Sequence, residues 1–202
     1  MPAASSVPRI LDCAEAKFAA GGFGGTTLSS IAKAAGLGNP GLLHHYPSKA
    51  ALYRAVLEAV GEDLDQRMEA ATAGVDGVDE RLRALLGVLV TLGRERPTAL
   101  RLVMQEFLDD TGRLEKATVL PLAGAVRRTL EVIEAGQGAG EVDDGDPLAI
   151  VARLHGTLFY GLLGTTVLGR IHVEPGQGWA ERLVEAALDG VLVTSPARSG
   201  AR

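Results

Sequence analysis

Cysteine is nearly absent from this chain of 202 residues, and the single thiol, Cys13, excludes an intramolecular disulfide and any multi-cysteine metal cluster. A chain so poor in cysteine is expected in a reducing compartment, here the cytoplasm. Membrane signals are lacking as well. No run of about 18 uninterrupted apolar residues occurs, and the opening "MPAASSVPRILDCAEAK" does not have the basic-then-apolar order of a secretory leader. Catalytic signatures are missing too: there is no phosphate-cradling glycine loop, no His-x-x-x-His or Glu-x-x-His pair and no nucleophile elbow. The acidic "EVDDGD" lacks the spacing and closing glutamate of a calcium loop. The chain is therefore expected not to be an enzyme and to need neither cofactor nor metal. Finally, alternating β-branched patterns of useful length are absent, which excludes a sheet and points to an all-α fold.

What is present is helical periodicity, punctuated by glycine and proline. Ile10, Leu11, Ala14 and Phe18 repeat at helical spacing after Ser6 and Pro8, and "GGFGG" from Gly21 stops that first helix. Thr27 caps a second, "LSSIAKAAG", which ends at Gly36. A short third helix, interrupted by Asn39, Pro40 and Gly41, precedes Ser48, which caps a long fourth with Leu52, Val56, Val60, Leu64 and Met68 as an i, i+4 stripe. Further helices are expected near 79–95, 97–110, 113–136, 146–170 and 177–194, separated by "RERP", "DDTG", "GQGAGEVDDGD" and "EPGQG". The polar tail 196–202 is expected to be disordered.

Charge is unevenly placed. Up to residue 54 the basic Arg9, Lys17, Lys33, Lys49 and Arg54 oppose only Asp12 and Glu15, so this stretch carries +3 within a chain of net charge −5. A basic head on an acidic body is the asymmetry of a protein that touches a polyanion at one end. In the same stretch Ala32 falls where two helices of a helix-turn-helix approach most closely. Gly36 falls in the turn where positive φ is wanted, and Leu42 where the second helix docks on the first.

From Arg9 to Leu57 the residues "RILDCAEAKFAAGGFGGTTLSSIAKAAGLGNPGLLHHYPSKAALYRAVL" resemble, in order and without a gap, the DNA-binding head of the TetR family of transcriptional regulators. Phe23, Thr27, Ile31, Ala32, Gly36, His45, Tyr46, Ser48 and Lys49 carry the likeness. The resemblance implies a three-helix helix-turn-helix head over residues 1–47. A long helix would then lead into an α-helical effector-binding and dimerisation body over 48–195. Thr27 and Ser29 fall at a helix N-terminus suited to a phosphate, and Lys49 offers a point charge to the DNA backbone. Asn39, Pro40, Gly41, Leu43, His44 and His45 lie on or beside the recognition helix, with Asn39 able to make a bidentate pair with adenine. Each position also has a plain structural role: Thr27 and Ser48 cap helices, Lys49 is solvated, and His45 closes a turn.

The chain departs from the family pattern at three places. Leu43 stands where tyrosine is common, Gly38 where Ser or Thr caps the recognition helix, and Gly41 removes a side chain from the reading face, which together imply fewer direct contacts and more reliance on DNA shape. Asn39-Pro40 could also move the cap by one residue. By the same resemblance, the apolar "PLAIVARLHGTLFYGLLGTTVLG", with Gly156, Gly161 and Gly164, and the stripe Leu183, Val184, Ala187, Leu188 and Val191 would pair two copies as a four-helix interface. An apolar effector cavity is implied, with Met104, Phe107, His155, Phe159 and Tyr160 as candidate lining. The plain alternative for His155, Met104 and Phe107 is ordinary core. The expected function is thus a cytoplasmic, homodimeric repressor, released from a palindromic double-stranded operator by a small hydrophobic effector. An effector-independent architectural or protein-interaction module on the same fold is the alternative, and a helical enzyme the reading from a different class.

Overall fold

The computed structural model describes residues 6–108 and 120–193. Among them are the helices α1 (Ser6–Gly25), α2 (Leu28–Ala34), α3 (Asn39–His45), α4 (Lys49–Thr72), α5 (Val78–Glu95), α6 (Pro97–Leu108), α7 (Ala123–Ala139), α8 (Pro147–Arg170) and α9 (Trp179–Leu188). The fold is all-α, and the described residues form no strand beyond an isolated antiparallel bridge, Val142 to Leu192. Residues 113–119 of the expected seventh helix and the tail 196–202 lie outside the described residues. Two compact units form: residues 1–64 with 95–122, and residues 65–94 with 123–202.

In the first unit, sequence punctuation becomes geometry. Gly22, at φ 67° and ψ 175°, breaks α1 close to the expected stop, and the Thr26 hydroxyl donates to the freed Gly22 carbonyl (2.8 Å) and to that of Lys17 (3.0 Å). Thr27 caps α2 by accepting from the Ser30 amide at 3.2 Å. Gly36 takes the positive φ, 68°, that the turn between α2 and α3 demands. Ser48 caps α4 by accepting from the Ala51 amide at 3.1 Å. One core gathers these pieces: Ile10, Ala14 and Phe18 of α1, Ile31, Ala32 and Ala35 around α2, Leu42 of α3, Leu52, Tyr53, Val56 and Leu57 of α4, and Leu102 of α6. The whole stripe expected on α4, Leu52 through Met68, is buried.

α6 completes this unit by packing along α1. Its entry is secured by charge: Arg96 donates to Asp63 at 2.7 Å and to the buried Glu15, while Thr98 donates to Glu15 at 2.6 Å.

The second unit is built on α5, α7, α8 and α9. Leu82, Leu85, Leu86 and Leu89 of α5, Val132 and Ile133 of α7, and Leu154 and Leu158 of α8 are buried, as are Leu183, Ala187 and Leu188 of α9. The expected end of α9 at 194 comes earlier. Gly190 turns left-handed at φ 68°, and Arg153 donates to the carbonyls of Asp189 (2.6 Å) and Ala187 (3.3 Å), satisfying orphan acceptors at the helix end. By length and mean hydropathy α8 meets the demands of a membrane span. Its face of Ile150, Val151, Leu154 and Leu158 is nevertheless buried, and it packs on α7 and α9.

Of the glycines expected to let helices approach, only Gly161 meets another helix within the described chain, against Leu183; Gly156 and Gly164 face open space. A test of packing lies on α7. A Cβ on Gly136 would stand 2.5 Å from Val142 Cγ2 and 2.9 Å from Val78 Cγ1, both branched side chains with little freedom to retreat, whereas one on Gly138 would meet nothing. Gly136→Ala is therefore expected to lower the unfolding free energy by about 1–3 kcal/mol through overpacking. Gly138→Ala, in the same helix, should leave it unchanged or raise it by up to about 1 kcal/mol. Urea denaturation of both variants distinguishes the two effects.

Candidate nucleic-acid interface

α3 is seven residues long and buries only Leu42, which joins the core with no exposed surface. Such a helix gives the core a single side chain and contributes little else to its packing. Its remaining side chains, Asn39, Pro40, Leu43, His44 and His45, are all exposed, as is Gly41. Gly38 remains the cap, without a side-chain hydrogen bond, so Asn39 and Pro40 begin the helix itself. Proline there loses nothing, because the first-turn amides have no partner within the helix. Asn39 thus stands exposed at the helix N-terminus, the end that a recognition helix presents to base edges.

The flanking groups are fixed from below. Thr27 and Ser29 are exposed at the start of α2; the Thr27 oxygen accepts its capping bond and keeps its own proton for an outside acceptor. At the far end of α3, His45 Nε2 and Ser6 Oγ are hydrogen-bonded at 2.8 Å, and the rings of His44 and His45 meet edge to face at 5.6 Å. Ser6, expected only as a helix start, therefore also anchors the end of α3. No spacing rule in the sequence signals that partnership across 39 residues.

Lys49, expected at a phosphate, spends two of its three N–H donors internally. Its ammonium donates to the carbonyls of Phe23 (2.8 Å) and Thr26 (3.0 Å) and sits 4.5 Å from the centroid of the Phe23 ring. A cation so placed ties the start of α4 to the turn after α1. Phe23 in turn meets Tyr53 edge to face at 5.0 Å, and Tyr53 meets Phe18 at 4.7 Å, so an aromatic cluster joins α1 to α4 within the same core.

The candidate effector residues separate. Met104, half-buried, and Phe107, 70% exposed, are on α6 in the first unit; His155 and Phe159, both buried, and Tyr160, 86% exposed, are on α8 in the second. Phe107 and Tyr160 therefore do not wall an enclosed space: each follows a buried residue, Glu106 and Phe159, and one helical step of about 100° turns it to the surface. Within the second unit, His155 and Phe159 meet edge to face at 6.1 Å. Glu106, missed in the sequence, is buried and accepts a hydrogen bond from the Tyr53 hydroxyl. A charged residue on the apolar face of "ALRLVMQEFL" was the available signal.

With this geometry in view, comparisons with known proteins fall into place. Residues 10–56 match the family model described as bacterial regulatory proteins, tetR family. Over those residues the chain is similar to the TetR family. Solved structures share the fold of nearly the whole chain. A putative TetR-family transcription regulator from Shewanella sp. PV-4 aligns with a TM-score of 0.71 at 20% identity, over 95% of this chain and 100% of that one. The transcriptional regulator FadR from Bacillus subtilis, solved with stearoyl-CoA, aligns with 0.75 at 16% identity, over 92% and 99%. SmeT, repressor of the Stenotrophomonas maltophilia multidrug efflux pump SmeDEF, aligns with 0.67 at 21% identity, over 98% and 97%. No curated protein sequence matches the chain. The TetR-family match coincides with the stretch that holds the exposed α3 and its supports.

His155 has a structural role that can be measured. The Thr129 hydroxyl donates its one proton to the Ala125 carbonyl (2.9 Å), so it accepts from His155 Nε2–H at 3.1 Å. Burial lowers the His155 pKa from 6.5 to about 4, which keeps the imidazole neutral near pH 7. As pH falls below 6.5 the unfolded chain takes up this proton first, so the stability present above 6.5 is lost progressively down to about pH 4. The full loss is about 3 kcal/mol. His155→Gln, which keeps an N–H for Thr129, is expected to flatten that part of the stability–pH curve measured by urea denaturation; an unchanged slope would show that the ring is not held neutral.

Proposed function

We propose that the chain is a homodimeric DNA-binding transcription regulator without enzymatic activity, a repressor that a small hydrophobic effector releases from a palindromic operator. The observation that carries this reading is α3: a helix with one buried side chain and every other side chain exposed, packed on the capped α2. Asn39 reads a base edge; Thr27 and Ser29 contact phosphates; Pro40, Gly41, Leu43, His44 and His45 shape the fit to the groove. Lys49 acts mainly as the tie beneath them, with one donor left for a phosphate. One such head covers one half-site, which supports a dimer whose half-sites lie about 34 Å apart or a multiple of that.

The second unit supplies a surface for pairing. Leu148, Ala152, Gly156 and Tyr160 form an exposed stripe on α8 at four-residue spacing, with Leu148 59% and Tyr160 86% exposed. Small residues between two large apolar ones admit close approach of a second helix. FadR, with its bound stearoyl-CoA, and SmeT, a repressor, support effector-controlled repression on this fold. Such an effector must bind the DNA-incompetent arrangement better than the competent one.

Two measurements test this reading. Asn39→Ala is expected to change the preference among duplexes at one base-pair position by about 1–3 kcal/mol, whereas Ser29→Ala weakens all duplexes alike. Equal, sequence-independent losses from both would remove Asn39 from base reading. Sedimentation at micromolar concentration should give a dimer for the native chain and a weaker one for Tyr160→Glu; a native monomer would contradict the α8 interface.

A further inference from the structure

The helix that meets DNA in this reading brings no fixed charge. The only ionisable side chains of α3 are His44 and His45, both exposed in its last turn. The other contacts assigned to this surface, Asn39, Thr27 and Ser29, are neutral. Lys49, the nearest cation in sequence, has committed two donors to the carbonyls of Phe23 and Thr26 and lies against the Phe23 ring. Whatever charge α3 itself offers to a phosphate is therefore protonic, since imidazole is the side chain whose ordinary charge change falls between about pH 5 and 8.

The geometry prepares His45 for that change. Its Nε2 is hydrogen-bonded to Ser6 Oγ at 2.8 Å, and a hydroxyl, able to donate or accept, keeps this bond in both protonation states of the ring. With Nε2 held, Nδ1 has no hydrogen-bond partner among the described residues, and in the imidazolium it becomes a second donor. No carboxylate among the described residues pairs with either ring. The charged groups on the elements around α3 are Arg9, Asp12 and Lys17 on α1, Lys33 on α2, and Lys49 and Arg54 on α4. The remaining carboxylate of α1, Glu15, is taken by Arg96 and Thr98. A compensating anion must then come from outside the chain, and a phosphate beside an imidazole favours its charged form. The rings of His44 and His45 meet edge to face at 5.6 Å, so a second proton enters against the charge of the first.

We propose that DNA binding by this chain is proton-linked, with His44 and His45 taking up charge at the phosphate backbone and Ser6 as the residue that positions His45. The inference rests on the DNA-binding reading. Linkage fixes the sign: binding that takes up protons strengthens as pH falls through the histidine range, and each imidazolium placed on a phosphate releases a further counterion.

Fluorescence anisotropy of the full chain tests this on a labelled duplex that the native chain selects from random DNA at about pH 7. Affinity is read at about pH 6 and about pH 8 over a salt series, with folding checked by circular dichroism at each pH. It is expected to be about fivefold or more higher at the lower pH, the effect of one imidazole held about tenfold more firmly protonated in the complex. The salt slope should be steeper there by about 0.9 for each proton taken up at a phosphate. Replacing both rings, His44→Gln with His45→Gln, should bring the two affinities within about twofold of each other and remove the difference in salt slope. Ser6→Ala, which releases the His45 ring, is expected to lower the affinity ratio; an unchanged ratio takes the positioning role from Ser6. Equal affinities or equal salt slopes at the two pH values in the native chain overturn the proposal and leave the DNA-binding reading standing, and this comparison needs no variant. A full ratio in the folded double variant overturns it as well, since the proton then resides on other groups such as His155 or His172. Failure to select any duplex removes the DNA-binding reading and this inference with it.

Discussion

The first unit depends on a carboxylate in the wrong place. Glu15 lies on the buried side of α1, 8% exposed, between Ala14 and the core residues Phe18 and Ala19. An ionised carboxylate so far from water must be paired and hydrogen-bonded, and removing one partner of such a pair typically costs about 3–5 kcal/mol. Its partners, Arg96 and Thr98, come from the start of α6, and Arg96 also holds Asp63 of α4. Burial lowers the Arg96 pKa, but the hydrogen bonds and charges of Glu15 and Asp63 outweigh it and raise the value. One guanidinium thus fixes three helices by chemistry that tolerates little displacement, since the paired charges lose their compensation as soon as they separate.

With α1, α4 and α6 set, the exposed surface needs little further support. α1 and α4 bring Phe18, Phe23 and Tyr53 together, and Lys49 closes that cluster from the α4 side. α2 rests on the same core through Ile31 and Ala32, and α3 through Leu42 alone. This division of labour suits a surface that meets DNA: packing is carried by other helices, and α3 keeps its side chains for contact.

Much of this was legible in order. The caps at Thr27 and Ser48, the positive φ at Gly36, the docking role of Leu42, and the buried stripe from Leu52 to Met68 all follow from spacing and residue type. These are local properties, fixed within a few residues by sterics, orphan amides and helical period. The TetR-family likeness from Arg9 to Leu57 is likewise a matter of sequence, and the match over residues 10–56 coincides with it.

What the sequence by itself determined was therefore the helical class, the helix-turn-helix, and the set of side chains that α3 leaves outside. Only the tertiary structure decided where the polar atoms went. Lys49 read as a point charge for the DNA backbone, and only the fold brought two carbonyls and a ring from 23 to 26 residues earlier within its reach. The family resemblance grouped Met104 and Phe107 with His155, Phe159 and Tyr160, yet they belong to different units, and the surface positions of Phe107 and Tyr160 follow from rotations that apolar character does not reveal. Glu15 and Arg96 are 81 residues apart, and nothing in either neighbourhood names the other. Helical period sets which side chains share a face; the partner of a buried charge is set by which faces meet, and that is a property of the packed chain.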